Sequence, residues 1–143
     1  MDIAQHYEHY RTVMASIPIE CSGDDWGRMM QCEGDVRQRY TRANETELGW
    51  LLENLGDSEK SWFISLALEG MESLHDQFLM PLVMAGVNEV DPSSNKRFIQ
   101  PAVQHFGVRR VMECLFDVLK TGNQFEQSGA INALYWAQVP LTF

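Results

Sequence analysis

The sequence predicts an all-α protein, and three observations carry the prediction. Apolar residues recur at spacings of three and four nearly from end to end. Each such run is closed by a proline, a glycine or a capping pair. No segment alternates apolar and polar residues with turn chemistry at both ends, as a half-buried strand would. At 143 residues and 45% hydrophobic content, the chain fits one domain. Such a domain buries roughly 70% of the surface its unfolded chain exposes.

The first helix is predicted from Ile3, Tyr7, Tyr10, Met14 and Ile17, one stripe that Pro18 terminates. A turn around Ser22-Gly23-Asp24 follows, and Trp26, Met29, Met30, Val36 and Tyr40 give a second, less regular stripe. Asn44 with Glu47 forms a capping box ahead of Leu48, Leu51, Leu52 and Leu55. Gly56 and Asp57 punctuate, and a helix over 58–70 places Phe63, Leu66 and Ala67 on one side. Ser73 with Asp76 reads as another capping box, leading into Phe78, Leu79, Leu82, Val83 and Val87, with a kink or a short break expected at Pro81. The turn 91–95 precedes a helix bearing Phe98, Ala102 and Phe106, closed by Gly107. Val108, Val111, Met112, Leu115, Phe116 and Leu119 form a strong stripe up to Gly122. The last helix carries Phe125, Ala130, Ile131, Ala133, Leu134 and Ala137 before Pro140. The expected core comprises Leu52, Phe63, Leu66, Leu82, Phe98, Leu115, Ile131 and Leu134.

These helices repeat weakly. The stretches 57–70, 91–107 and 122–137 each pair a turn with a helix, and alignment on Ile64, Ile99 and Ile131 gives steps of 35 and 32 residues. The apolar helix upstream of each turn ends near Leu55, Val87 and Leu119, with two steps of 32. A two-helix unit at this period is the mark of an α-solenoid, in which each hairpin buries its apolar face against its neighbours. The predicted hairpins join 45–55 to 58–70, 74–88 to 95–106, and 108–121 to 124–138. A helical bundle is the alternative architecture. Within the single domain 1–143, residues 1–43 read as an N-terminal helical cap, 44–138 as about three repeats and 139–143 as a tail.

Asp91-Pro92 opening a helix, with Ala102 inside it and Phe106-Gly107 at its end, resembles the second helix of a HEAT-like (armadillo-type) repeat. Ala67-Leu68-Glu69-Gly70 holds the corresponding end one unit earlier. The closing run 129–137, with Gly129, Ala130 and Ala133, is similar to the small-residue-rich inner helix of bacterial HEAT-like proteins. The arginine typical of the second helix has a rough counterpart only in Arg97. The resemblance implies a binding scaffold. It extends to bacterial immunity proteins, small acidic cytosolic helical-repeat proteins that bind and block a toxin.

The formal charge is −9, from 20 acids against 11 bases. Residues 44–90 hold nine acids and only Lys60, so the acidity is concentrated in the middle. This balance excludes the usual nucleic-acid binder, which displaces counterions with lysines and arginines. Anionic membrane surfaces are disfavoured for the same reason. The apolar runs are too short to span a bilayer. The first eighteen residues mix Asp2, His6, Glu8, His9 and Arg11 with apolar positions and so do not read as a signal peptide. With three cysteines, the expectation is a cytoplasmic protein with free thiols.

Catalytic chemistry is thinly represented. His6 and His9 are one helical turn apart and, with Cys21 and Cys32, spell a two-His, two-Cys metal set, although ten residues separate the cysteines where a zinc knuckle needs two to four. Cys114 reads as a small buried hydrophobe, and a single histidine such as His75 or His105 carries no mechanism by itself. Neither a nucleophile elbow nor a phosphate loop is present. The predicted function is therefore non-enzymatic, with no cofactor: a protein–protein binding module presenting an acidic face to a basic partner. The alternative is a small helical metal-binding protein or enzyme using His6, His9 and a cysteine. The binding face is expected at Asp57, Glu59, Glu69, Glu72 and Asp76 around Trp62, since a tryptophan in a charged rim has the composition of an interface hot spot.

Overall fold

The computed structural model describes residues 1–91 and 93–138. Pro92 of the predicted 91–95 turn, the tail 139–143 and the terminating Pro140 lie outside the described residues. Among the described residues, the chain forms eight α-helices and no strand: α1 (Ile3–Ala15), α2 (Gly23–Arg39), α3 (Glu45–Asn54), α4 (Ser61–Gly70), α5 (Leu79–Val87), α6 (Lys96–Phe106), α7 (Val108–Thr121) and α8 (Gln124–Gln138). The all-α class is as the periodicity requires. No helix is long and apolar enough to cross a membrane among the described residues.

Local chemistry sets the helix starts. Asp2 with Gln5, Ser22 with Asp25 and Asn44 with Glu47 each form a reciprocal capping box that satisfies two orphan backbone N–H groups. One start differs from expectation. The box at Ser73 and Asp76 does not form; the His75 ring caps a 3-10 turn over Asp76–Phe78 instead, its Nδ1 accepting from the Gln77 N–H at 3.0 Å. That turn makes Pro81 the third residue of α5. A missing N–H costs nothing in the first turn, so Pro81 is accommodated there and the break in the helical run falls before it, at the 3-10 turn.

The chain clusters into two compact units, residues 1–72 and the residues from Ser73 onward. In the first unit, α4 lies closest along α2, and α1 packs on both α2 and α3. The predicted hairpin of 45–55 with 58–70 is therefore not the principal pairing. Gly70 permits this: the Arg37 backbone presses on it so closely that a Cβ would overlap the Arg37 carbonyl. Residues 1–43 also supply much of this unit's core. The Phe63 ring sits 5.4–6.0 Å from the rings of His6, Tyr7, Tyr10, Tyr40 and Trp50, mostly edge-on.

In the second unit, α5 packs on α6 and α7 on α8, while α8 also lies along α5 and α6. Gly129 of α8 meets the Val87 carbonyl of α5 with no room for a Cβ, and Ala130, Ala133 and Ala137 are buried beside it. Small residues thus face inward on α8. Ile131, expected in the core, is 61% exposed. Its aligned counterparts Ile64 and Ile99 are fully buried. Phe63, Leu66, Leu82, Phe98 and Leu115 are buried as expected, whereas Leu52 and Leu134 are only half-buried. Asn95, fully buried, donates its side-chain amide to the Gly86 carbonyl and so ties the turn before α6 to α5.

Candidate functional site

The six residues expected to form an acidic face divide between the units. Asp57, Glu59, Trp62, Glu69 and Glu72 belong to the first, and Asp76 to the second. Four of the five acids are engaged within the chain. Asp57 Oδ2 lies 2.5 Å from Lys60 Nζ, and its other oxygen accepts from the Glu59 N–H at 3.0 Å. The Lys60 hydrogen bond, followed by that N–H, holds the Asp57 carboxyl below its ordinary range, while Asp57 raises the Lys60 ammonium. Glu69 pairs with Arg37 at 2.8 Å, Glu72 with Arg42 at 3.1 Å, and Asp76 with Arg110 at 3.2 Å. Glu59 alone of the five is in no ion pair, and it is exposed.

The ion pairs matter for the field they leave. Residues 1–72 contain 14 acids and six bases, a formal −8, whereas 73–143 contain six acids and five bases, or −1. All six bases of the first unit hold a carboxylate: Arg11–Glu8, Arg28–Asp25, Arg37–Glu69, Arg39–Glu47, Arg42–Glu72 and Lys60–Asp57. Eight acids of that unit are left without a base: Asp2, Glu20, Asp24, Glu33, Asp35, Glu45, Glu53 and Glu59. Much of the uncompensated charge thus lies around α2 rather than along 57–76.

Trp62 is 42% exposed and donates its indole N–H to Glu33 Oε2 at 2.8 Å. That bond brings Trp62 beside the outer face of α2. On that face Trp26 and Met30 are 53% and 67% exposed. Both belong to the less regular stripe read from the sequence; of that stripe Val36 on α2 and Tyr40 at its C-cap are buried, with Cys32 beside them, whereas Trp26 and Met30 face outward. Gly23, Gly27 and Gly34 were the available signal. They share the helical phase of Trp26 and Met30, and a core-facing stripe rarely carries three glycines.

A cleft of about 260 Å³ between α1 and α2 is lined by His6, His9, Arg28, Cys32 and Asp35, among others. His6 Nδ1 lies 2.8 Å from the Tyr40 hydroxyl. Burial, then the His9 and Arg39 charges, lowers the His6 pKa, and burial pushes the Tyr40 phenol up to about 12. The Cys32 thiol is raised by burial and by Asp35 and Glu33, the opposite of what a thiolate nucleophile needs. His6, His9 and Cys32 do share this cleft, and Cys21 is not among its lining residues. Among the described residues, however, no three His, Cys, Asp or Glu side chains converge closely enough to hold a metal ion. Cys114 is half-buried and similarly raised by burial.

The chain matches no protein-family model, no curated protein and no solved structure.

Proposed function

We propose that this chain is a non-enzymatic binding module whose acidic first unit receives a basic protein partner, in the manner of immunity proteins that block a toxin. One observation carries the reading: every base of residues 1–72 is already paired, and eight carboxylates there have none. A field of this sign accelerates encounter with a positively charged protein and is screened beyond about 8–10 Å at physiological salt. The HEAT-like solenoid belongs to the same proposal. It is supported in the second unit, where α5 packs on α6 and α7 on α8.

The test is capture. The immobilised full chain is expected to retain a basic protein from the native cell extract and to release it at about 0.5 M salt, where screening shrinks to a few Å. Reversal of Glu20, Asp24 and Glu59 to Lys changes the charge by six units without breaking an ion pair. Retention should be lost in that variant. As a toxin blocker, the chain should also abolish the captured protein's activity on addition. Retention indifferent to both salt and reversal would end the reading.

A further inference from the structure

We infer that the outer face of α2 is a seat for a basic amphipathic helix of the partner protein, an inference that rests on the binding-module reading and specifies where the partner sits. Trp26, Met30 and Glu33 fall at i, i+4 and i+7 of α2, one stripe of the helix, and Trp62 is bonded to Glu33 at its end. Two tryptophans and a methionine are thereby exposed together on a folded unit that buries its other α2 face on α1 and α4. Tryptophan supplies rigid contact area, and methionine adapts to the side chains it meets.

The backbone of this face is open as well. A Cβ built at Gly23, Gly27 or Gly34 meets nothing within 4 Å. Gly70 against Arg37 and Gly129 against Val87 instead mark close backbone approach, while Gly49, Gly56 and Gly107 are as open as the glycines of α2. On α2 the same bareness has no partner within the molecule, so a docked helix can approach Gly27 closely between Trp26 and Met30.

Charge selects the occupant. Glu33 on this stripe and Glu59, three residues before Trp62, have no base, and the six bases of the unit are all engaged, so lysine or arginine must come from outside. A second copy of this chain would bring its own −8 first unit against the first, and that repulsion argues against self-association. The fitting ligand is a helix with apolar residues at i, i+3, i+4 and i+7, flanked by lysines or arginines.

The probe is a labelled Leu/Lys helix of about 18 residues, five turns, with leucines at those positions. A Leu/Glu peptide of the same pattern and a Lys/Ser peptide lacking leucines serve as comparisons, with binding to the full chain read by anisotropy. The Leu/Lys helix should bind at least about tenfold more tightly than either comparison. The double variant Trp26→Ala/Met30→Ala should weaken it about tenfold, mainly through the off-rate. Gly27→Leu should weaken binding while raising the melting temperature, because leucine favours the helix and the free protein has room for it. A merely structural glycine would lower both. Glu33→Gln keeps an acceptor for Trp62 and should flatten the salt dependence.

Equal binding of Leu/Lys and Lys/Ser peptides, indifferent to the variants, would overturn the seat and leave the binding-module reading standing. Equal binding of Leu/Lys and Leu/Glu would overturn the basic occupant. Binding of none of the three would also overturn the seat, and the module reading would then rest on the captured partner alone.

Discussion

Glycine has two opposite roles in this chain, and single substitutions separate them. Gly70 and Gly129 lie against backbone carbonyls where a Cβ has no space. Gly70→Ala or Gly129→Ala should destabilise by about 1–3 kcal/mol, the usual range for overpacking, or more because backbone must move. Gly27 and Gly34 sit in helix with open space around them. Gly27→Ala and Gly34→Ala should each stabilise by about 0.5–1 kcal/mol from helix propensity. Urea melts of the four variants check the sign at each position. His6 makes a second residue-level prediction. Its pKa is lowered from 6.5, first by burial and then by His9 and Arg39, so between the lowered value and 6.5 the unfolded chain binds more protons than the folded one. Stability should therefore be full above pH 6.5 and fall as the pH drops through 6.5 toward the folded pKa. His6→Gln should flatten that part of a series of melts recorded across the window.

At the scale of elements, the capping box at Asn44 was legible because it is local. Asn44 and Glu47 are three residues apart and need nothing else to form. The packed faces were legible only where large apolar residues point inward. On α7, Leu115 is fully buried, and Leu115→Ala should cost about 2–5 kcal/mol. On α8 the inward face is made of Gly129, Ala130, Ala133 and Ala137, so Ile131→Ala should change stability by less than about 0.5 kcal/mol. Thermal or urea denaturation of the pair decides it. A large loss at Ile131 would contradict the inward placement of the small residues. The pairing of α4 with α2 has the same origin: the bareness of Gly70 decides which helix comes closest, and hydrophobic periodicity carries no such information.

For the whole molecule, charge is the dominant long-range property, and it is divided between the units. The first carries −8 with its six bases paired, and the second −1. Exposed ion pairs contribute roughly 0–1 kcal/mol each, and the unpaired acids repel one another. Added salt up to about 0.15–0.3 M should therefore raise the melting temperature of the free chain by screening that repulsion. The same salt should slow association with a basic partner. Opposite responses of stability and on-rate, followed by calorimetry and stopped-flow mixing, are expected of a surface whose charge serves encounter rather than folding. The candidate face was half legible for the same reason. Trp62 and the acidity could be counted, but their neutralisation by Arg37, Arg42 and Arg110 joins residues 30 to 34 positions apart, beyond the reach of any local pattern.

The sequence by itself determined the all-α class, the helix limits to within a few residues and the sign of the field. These follow from short-range spacing, from capping pairs within one turn, and from composition. Tertiary structure alone decided which face of each helix is buried, which carboxylates keep their charge uncompensated, and that Trp26 and Met30 are exposed on the helix whose Glu33 holds Trp62. Helical periodicity marks a stripe but not its direction. Where small residues pack tightly, as on α8, or large ones remain outside, as on α2, the direction is set by how closely neighbouring backbones can approach.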